Sequence, residues 1–458
     1  MSIARTFAGA GLHTSVLVAL QALALGSACA AELEYRASLG AGHSDNIRRT
    51  ETNEVSEDIA TAGLQFSADQ RTAKLQADVV GDLAYYDYRN HTYDSEVVGN
   101  ALADIRYSFV PQRFDWVLTD NFGQVLDDPF APPTPDNREN INYFATGPDL
   151  TMAFGSQTRL RLSGRYALTT YETSPLDSDS ALAELALIRL LSGVSSVSLH
   201  ARAQQVRYDE ASLNGDYDQG EAFVRYEAEG ARTRLSADLG YTELKLDAGD
   251  QKIDGPLVRL NIQRRLSSAS VLTFDGGSEF TNSGSAFAET QGIGGIGLGS
   301  APGRQTVQPF TLDHAALTWD FQRNRTGFSL FGAWEKHSYD EDPILDQTTT
   351  TFGAALRRQM SPATSLTLNA AFTDATFEQP GVDYQEVSGG VGFDWRLSRA
   401  VSVTASYEYV DRNSDLAGTS YKENRFWLSI GFGRGDPRNR RATPQFAVDT
   451  VSQPVRQP

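Results

Sequence analysis

Apolar and polar residues alternate with a period of two in segment after segment of the chain. The pattern is clearest at residues 159–168, 235–241, 317–322 and 401–409. Because successive side chains of a β-strand point to opposite faces, each segment has one apolar and one polar face. The sequence therefore predicts an all-β protein. A soluble sandwich shows the same alternation, so this pattern alone does not distinguish a sandwich from a barrel.

The connections between these segments fall into two classes that take turns along the chain. Short ones, several flanked by arginine, lie near 70–72, 111–113, 155–157, 193–195, 230–232, 267–269, 323–326, 361–364 and 398–400. Longer and mostly acidic ones lie near 43–58, 89–95, 126–140, 173–180, 209–216, 247–252, 282–309, 337–346, 376–384 and 411–421. Outer-membrane barrels sort their connections in this way, with short turns in the periplasm and long loops outside the cell.

The number of connections sets the number of strands. Ten long loops and nine short turns give 20 strands, an even number that leaves both termini in the periplasm. Residues 58–69 and 181–191 are the weakest segments, and if they merge with their neighbours the number is 18. The sequence thus predicts a transmembrane antiparallel up-and-down β-barrel of about 18–20 strands over residues 31–432.

The two ends of the chain carry delivery signals. Arg5 precedes the apolar stretch 15–25, and Ala28, Cys29 and Ala30 then give the small-x-small pattern of a cleavage site. We expect residues 1–30 to be a signal peptide that is cleaved after Ala30; a lipoprotein signal acylated at Cys29 is the rival interpretation. Apolar residues at 426, 428, 430 and 432 predict a closing strand, similar to the C-terminal signal that the outer-membrane assembly machinery recognises.

Residues 433–458 follow that closing strand and are rich in arginine and proline. This composition predicts a disordered periplasmic tail, which is either inert or a tether. Aromatic residues near predicted strand ends, Tyr86 and Trp427 among them, suit the girdles that outer-membrane barrels carry at the membrane interfaces.

Composition excludes several classes of protein. Cys29 is the only cysteine, so a chain cleaved after Ala30 holds neither disulfides nor cysteine-bound metal. The signal segment carries one of the 40 basic residues and none of the 58 acidic ones, which leaves 39 − 58 = −19. We expect no binding to nucleic acid from a chain this acidic. No later segment has the roughly 18 consecutive apolar residues of a membrane-spanning helix.

Motifs of catalytic chemistry are missing from the sequence. The glycine-rich stretch 292–299 looks like a dinucleotide-binding motif, but it lies in a long loop rather than between a strand and a helix. Five histidines follow the signal segment and form no paired ligand set. We expect neither enzyme activity nor a cofactor or metal. The length and low charge of loop 282–309 suggest a different hypothesis, that it constricts the lumen and that deleting residues 287–305 raises conductance.

Charged residues on the polar faces are further candidates. Arg159, Arg161 and Arg165 share one face of a predicted strand, where they would form a ladder for anionic solutes or polysaccharide. Alternatively, they pair with opposing carboxylates to satisfy charge in the lumen. The acidic clusters 177–179 and 340–342 are either divalent-cation sites or solvated loops, and no calcium-loop spacing favours the first.

One region of the sequence resembles a known group of proteins. Residues 111–124 continue through 128–130, 134–140 and 146–148, and residues 43–47 near the first strand fit the same pattern. These stretches resemble outer-membrane β-barrels associated with exopolysaccharide and exosort (PEP-CTERM) loci, within the broad β-barrel porin group. The similar layout of strands and loops covers nearly the whole mature chain, whereas the specific motifs occupy about forty residues.

The resemblance implies a role in exopolysaccharide export. The barrel would be the outer-membrane conduit beside a periplasmic polysaccharide export protein, with an anionic polysaccharide as cargo. Carried over residue by residue, the resemblance marks Asp120, Asn121, Gln124, Asn137, Arg138, Glu139 and Asn140, on a strand and its outer loop. These residues would either contact the polymer or pack between loop and lumen and so rigidify the barrel.

Three functions fit this architecture. About 18–20 strands enclose a lumen wide enough for a channel. The same barrel wall would therefore suit an export conduit or a general or solute-selective diffusion porin. A non-conducting structural or surface barrel would have its lumen filled. In each case we expect the barrel to lie among the lipid and lipopolysaccharide of a Gram-negative outer membrane. Trimers and solitary barrels both fit the sequence.

Overall fold

A computed structural model describes residues 32–247, 251–290 and 305–435. The strands are β1 (Glu32–Ser44), β2 (Glu57–Arg71), β3 (Leu75–Tyr88), β4 (Glu96–Val110), β5 (Phe114–Leu126), β6 (Arg138–Phe154), β7 (Thr158–Tyr171), β8 (Ser178–Ser192), β9 (Ser195–Tyr208), β10 (Tyr217–Glu229), β11 (Thr233–Leu246), β12 (Lys252–Ser267), β13 (Ser270–Thr281), β14 (Phe310–Arg323), β15 (Thr326–Ser338), β16 (Gln347–Ser361), β17 (Thr364–Phe377), β18 (Tyr384–Arg396), β19 (Val401–Ser414) and β20 (Tyr421–Arg434). An eight-residue helix, α1 (Ser283–Thr290), follows β13. Short 3-10 turns lie in three long loops, at Pro135–Asn137, Ala211–Leu213 and Pro343–Leu345.

The strands form one closed antiparallel barrel. Each strand pairs with its neighbours in sequence, and β1 pairs with β20 from Tyr35 opposite Arg434 to Ser44 opposite Arg425. Closure leaves no unpaired sheet edge, which a bilayer would not tolerate. The predicted up-and-down barrel is confirmed with 20 strands. The two weakest predicted segments are β2 and β8, each a complete strand of 15 residues.

The connections are sorted as the sequence predicts. Short turns of two to four residues join β2 to β3, β4 to β5, and so on to β18–β19, and the longer loops alternate with them. All short turns lie at one rim, which we call the short-turn rim, and the chain enters β1 and leaves β20 there. The opposite rim is the long-loop rim. Outer-membrane barrels place the short-turn rim in the periplasm.

The two faces of the wall differ in polarity. In β20, Phe426, Leu428, Ile430 and Phe432 are each more than half exposed, as expected of side chains that face lipid. The residues between them face the lumen. The remaining strands alternate in the same way. In each of them the exposed apolar residues mark the outward face, and the residues between them face the lumen. Among the described residues, no helix is long and apolar enough to cross a membrane.

Buried apolar side chains line the long-loop end of the lumen. Four hydrophobic clusters lie there, on the inward faces of the strands and on the loops that fold over them. Their buried members are Val206, Tyr208, Tyr217, Leu244, Leu246 and Phe280; Val125, Ile141, Tyr171 and Phe287; Ala286, Phe310, Leu312 and Tyr339; and Ile47, Ile59 and Tyr88. The interior of the barrel therefore has a packed layer towards the long-loop rim.

Candidate functional site: the barrel lumen

Helix α1 lies inside the lumen. Phe287 packs against Val125, Ile141 and Tyr171 on the inward faces of β5, β6 and β7. On its other side, Ala286 packs into the cluster of Phe310, Leu312 and Tyr339. The first residues of loop 282–309 therefore occupy the lumen, as the constriction hypothesis requires. The glycine-rich stretch 292–299 lies outside the described residues.

Two hydrogen bonds from asparagines help to hold α1 in place. Asn121 Nδ2 on β5 donates to the carbonyl of Ala288 at 3.1 Å. Asn282 Nδ2, just before the helix, donates to the hydroxyl of Tyr217 on β10 at 2.7 Å. Both asparagines are buried. The helix is thus attached to β5 and β10 by polar contacts, in addition to its apolar contacts with β6, β7 and β14.

The loop between β5 and β6 crosses towards a distant part of the barrel. Arg412 on β19 donates from Nη2 to the carbonyl of Phe130 at 2.9 Å and from Nη1 to that of Ala131 at 3.5 Å. The Phe130 ring meets the edge of Phe377 on β17, with the centroids 4.9 Å apart. Arg49, in the loop after β1, donates to the carbonyl of Pro133. We call loop 127–137 with these contacts the latch.

Arg49 is itself held by a buried carboxylate. Glu423 on β20 is 1% exposed and accepts hydrogen bonds from Arg49 Nε at 2.9 Å and from Ser44 Oγ at 2.7 Å. The guanidinium also lies over the Tyr421 ring, 5.6 Å from its centroid. Burial alone would lower the pKa of Arg49, but Tyr421 and Glu423 outweigh it and raise that pKa above its ordinary value. Arg49 therefore stays charged and keeps both contacts.

A belt of paired charges crosses the lumen wall at mid-height from β7 to β13. We call it the charge belt; its members are Arg161, Glu184, His200, Arg202, Glu221, Arg225, Asp238, Arg259 and Glu279. Arg202 bridges Glu184 at 2.8 Å and Glu221 at 3.2 Å, and so joins β8, β9 and β10. Since acids and bases alternate around it, the belt balances its own charge.

Phe223 lies at the centre of the charge belt. The imidazole of His200 stacks on its ring at 4.5 Å with an interplanar angle of 8°. The guanidinium groups of Arg202 and Arg225 lie 5.5 Å from the ring centroid, and that of Arg259 lies 5.7 Å from it. A ring face attracts cations, so Phe223 holds these arginine side chains against the wall.

We expect the Arg225→Ala variant to destabilise the barrel by about 2 kcal/mol, because the buried carboxylate of Asp238 loses two hydrogen bonds. Arg225 makes two 2.7 Å hydrogen bonds to Asp238, which is 2% exposed. Arg259 Nη1 stays 3.7 Å from that carboxylate and limits the loss. Urea titration of the folded barrel on gels measures the effect. The Arg225→Ala/Asp238→Ala double variant should recover part of it; a single variant as stable as wild type would contradict the expectation.

The wall opposite the charge belt carries many small, uncharged side chains, and four charged residues, Arg357, Glu386, Asp394 and Glu408, lie among them on the same inward face. We call the small, uncharged inward residues in the middle of β16–β19 the hydroxyl wall; they are Thr349, Thr351, Gly353, Ala355, Thr367, Asn369, Ala371, Thr373, Ser388, Gly390, Gly392, Ser402, Thr404 and Ser406. Some of their partners across neighbouring strands are also small, as where Ala371 lies opposite Gly353 and Ser388. Short side chains reach less far into the lumen than the arginine and glutamate side chains of the belt.

Arg159, Arg161 and Arg165 share the inward face of β7. Arg165 forms an ion pair with Asp149 on β6 at 2.7 Å, and Arg161 lies 3.9 Å from Glu184 on β8. The structure thus places two of the three predicted arginines beside carboxylates of the neighbouring strands. That arrangement is the pairing alternative, and it makes Arg161 the first member of the charge belt.

The residues marked by the sequence resemblance do not gather at one point. Asn121 and Glu139 face the lumen, whereas Asp120, Gln124 and Asn140 lie on the outward face of β5 and β6. On that outward face, Gln124 donates to Asn140 at 3.3 Å, and Asp120 accepts from Asn142 at 3.0 Å.

The other marked residues hold the loops near β6. Glu139 accepts backbone hydrogen bonds from Thr173 and Ser174 in the next long loop, at 3.1 and 2.9 Å. Asn137 binds both the amide and the carbonyl of Asp128, each at 2.8 Å, and so shapes the latch loop. Arg138 pairs with Glu96 at 2.5 Å. These contacts tie loops to the wall and to one another.

Sequence reasoning assigned Tyr86 and Trp427 to an interfacial girdle, but both face the lumen. Trp427 lies between the outward Phe426 and Leu428, so the alternation of β20 itself would have placed it inward. Its indole lies over Gly42, where a Cβ atom would clash with the ring. Tyr86 stacks on it with the centroids 5.3 Å apart. Below these rings is a recess in the lumen wall, lined by Arg36, Gln65, Glu408, Ser429 and residues of the hydroxyl wall.

Residues 305–433 match the family model described as "Putative beta-barrel porin 2". The match runs from just before β14 almost to the end of β20 and covers less than a third of the chain. The sequence matches no curated protein. Within the described ranges, no group of three or more histidine, cysteine or acidic side chains is placed to hold a metal ion.

Several solved structures are similar to the barrel in outline. A mutant of the ferric enterobactin receptor PfeA from Pseudomonas aeruginosa is 10% identical with a TM-score of 0.43, covering 88% of this chain and 81% of that one. The siderophore receptor PirA from Acinetobacter baumannii is 8% identical with a TM-score of 0.45, covering 87% and 80%. The FrpB iron transporter from Neisseria meningitidis, F3-3 variant, is 8% identical with a TM-score of 0.45, covering 90% and 83%. Likenesses this weak carry no argument about function.

The closed antiparallel wall, its apolar outer face and the porin match together make the chain an outer-membrane β-barrel. Its last seven strands, β14–β20, are porin-like.

Proposed function

We propose that this barrel is a gated outer-membrane conduit for exopolysaccharide, closed at rest by the latch and α1. The hydroxyl wall is the observation that carries the proposal. Its threonine, serine and asparagine side chains offer hydrogen bonds to sugar hydroxyls, and they outnumber the charged side chains that lie beside them on the same inward face. A polymer can exchange one weak neutral hydrogen bond for the next along such a surface, since each is worth only about 1 kcal/mol net.

The closed long-loop end supports a gated conduit over an open diffusion porin. Helix α1 crosses the lumen from β5 to β14, and the latch reaches β17 and β19. A pore for small nutrients gains nothing from an obstruction that must be moved. A channel for a polymer needs one, because an open lumen wide enough for a polysaccharide would also pass toxic solutes.

The same proposal includes a periplasmic partner at the short-turn rim. Arg323, Arg325 and Arg358 surround a recess on the outer side of that rim, together with Phe321 and Thr326. A cluster of arginines suits an acidic face of a periplasmic polysaccharide export protein, which would deliver the polymer to the open end of the lumen. An anionic polysaccharide would then pass between the charge belt and the hydroxyl wall.

Surface polysaccharide in a clean deletion strain tests the proposal. We expect secreted polymer to disappear in that strain and to return on complementation, with sensitivity to large antibiotics unchanged. Polymer secretion at the wild-type level without the barrel would overturn the export proposal.

A variant of the hydroxyl wall tests whether polymer passes through the lumen or whether secretion only requires that the barrel be present. Ala371→Arg adds a long charged side chain to the inward face of β17, and we expect it to cut polymer secretion several-fold. Ala371→Ser is the matched control and should secrete normally. Both proteins must first be shown to assemble, by the heat-dependent gel shift of folded barrels. Normal secretion through an assembled Ala371→Arg barrel would count against passage along this wall.

The filled long-loop end also favours a second candidate, a structural barrel that never conducts. Single-channel recording distinguishes the two, because a gated conduit opens when its obstruction is weakened and a structural barrel stays closed. A large conductance in unaltered protein would instead favour a diffusion porin.

A further inference from the structure

We propose that the recess below Trp427 and Tyr86 is a saccharide-binding subsite of the lumen, and this proposal rests on the proposed polysaccharide cargo. The recess lies where β19, β20, β1, β2 and β3 meet. It is lined by Arg36, Gln65, Glu408, Ser429 and hydroxyl-wall residues, with Tyr86 and Trp427 as its aromatic side. We call it the sugar recess.

The aromatic side of the sugar recess is held flat against the wall. Trp427 lies over Gly42, and the absence of a Cβ atom there is what allows the indole to approach the backbone. Tyr86 stacks on the indole at 5.3 Å with an interplanar angle of 25°. Two nearly parallel rings in a polar lumen form a platform, and a flat platform suits the apolar face of a pyranose ring.

The polar side of the sugar recess is organised by ion pairs and hydrogen bonds. Glu408 on β19 lies 3.5 Å from the guanidinium of Arg425, and Gln65 on β2 donates to Asp82 at 3.0 Å. Ligand sites typically combine an apolar or aromatic surface with a few fixed polar groups that set orientation. Here the fixed groups are a carboxylate, an amide, a guanidinium and hydroxyls, which together match the hydroxyl edge of a sugar.

The position of the sugar recess suits a binding site on the path of the polymer. It does not belong to the latch or to α1, which close the long-loop end of the lumen. Its polar residues extend along the half of β1 and β20 that leads to the short-turn rim, where polymer would enter. Its upper end is Trp427, which also packs against the cluster of Ile47, Ile59 and Tyr88 under the loop after β1. A sugar in the recess would therefore lie directly below the closed end of the lumen.

Trp427 offers a specific optical test. The chain has five tryptophans, and the other four, Trp116, Trp319, Trp334 and Trp395, lie on the outward face. Changing those four to phenylalanine leaves Trp427 as the single fluorophore in the refolded full-length barrel. Maltoheptaose and oligosaccharides cut from the surface polymer of the strain serve as probes. Polyethylene glycol of matched size is the control solute.

We expect at least one saccharide to shift the Trp427 emission in a saturable way, and polyethylene glycol to leave it unchanged. Gln65→Ala and Glu408→Gln should each weaken the affinity about tenfold, the effect of losing one hydrogen bond to a charged or buried partner. Thr318→Ala, on the inward face of β14 across the lumen, should bind like the parent. Each variant is first shown to assemble by its heat-dependent gel shift. The emission is then recorded only from folded barrels.

Absence of any saturable shift with both saccharide probes would overturn the subsite. A shift that persists unchanged in both recess variants would overturn it as well, since binding would then lie elsewhere. These results are independent of the secretion assay. A barrel that binds sugar while the deletion strain still secretes polymer would lose the export proposal and keep the subsite.

Discussion

Replacing Phe287 by alanine should convert the closed barrel into one with measurable, frequent openings. Phe287 is 7% exposed and fixes α1 to the wall residues Val125, Ile141 and Tyr171. Truncating a buried phenylalanine costs about 3–5 kcal/mol of packing free energy, and only the state with α1 seated against the wall loses it. The equilibrium between seated and released α1 should therefore shift towards the released state by about 10²–10³-fold. Planar-bilayer recording of the purified barrel measures the open fraction.

Two controls accompany the Phe287→Ala variant. Ile344→Ala removes an exposed apolar side chain from another long loop and should leave the recording unchanged. Deleting residues 287–305 should raise conductance further, because the last turn of the helix is then missing altogether. If Phe287→Ala and the deletion both record like wild type, α1 does not obstruct the lumen.

The Arg49→Ala/Arg412→Ala double variant should release the latch. Arg412 supplies two hydrogen bonds to the loop carbonyls of Phe130 and Ala131, and Arg49 supplies one to that of Pro133. A hydrogen bond to a charged group contributes about 1.5–3 kcal/mol, so losing even one strong bond moves the balance towards the released loop by about 10–100-fold. We expect longer openings in bilayer recordings and uptake of large antibiotics by cells.

Lys252→Ala is the matched control for the latch variant. It removes an exposed cation at the same rim, where Lys252 pairs with Glu243 at 2.9 Å. Exposed pairs contribute little, so this variant should behave like wild type. Equal antibiotic uptake in the control and in the double variant would show that loss of charge at the rim, and not release of the latch, causes the change.

The fold could be predicted from the sequence because a barrel wall is specified locally. Alternation assigns the strands, and the lengths of the connections assign the rims, without any knowledge of distant contacts. Even the weak segment 181–191 became a strand, β8, because its neighbours supply both hydrogen-bond partners.

The contents of the lumen could be predicted only in part, because they depend on contacts between residues far apart in sequence. Arg412 and Phe130 are 282 residues apart, and nothing in either local sequence indicates that they meet. Similarly, Arg49 meets Glu423 across 374 residues. The length and low charge of loop 282–309 allow an inward fold, but they do not indicate which wall residues receive α1.

Some of the site was open to prediction and was missed. Consecutive marked residues such as Asp120 and Asn121 must lie on opposite faces of a strand, so the motif could not form one lumen site. By the same rule, Trp427 between Phe426 and Leu428 must face inward. Alternation therefore separates the lumen face from the lipid face for each candidate residue on a strand.

Cross-linking the latch in living cells tests most directly whether polymer leaves through this gate. Phe130→Cys and Phe377→Cys place two thiols where the rings now touch, and the only natural cysteine, Cys29, lies in the expected signal peptide. Cells carrying both changes, or either alone, are treated with a short bis-maleimide and assayed for newly secreted polymer. We expect secretion to stop only in the double-cysteine strain, in proportion to the cross-linked fraction. Continued secretion through fully cross-linked barrels would contradict this expectation.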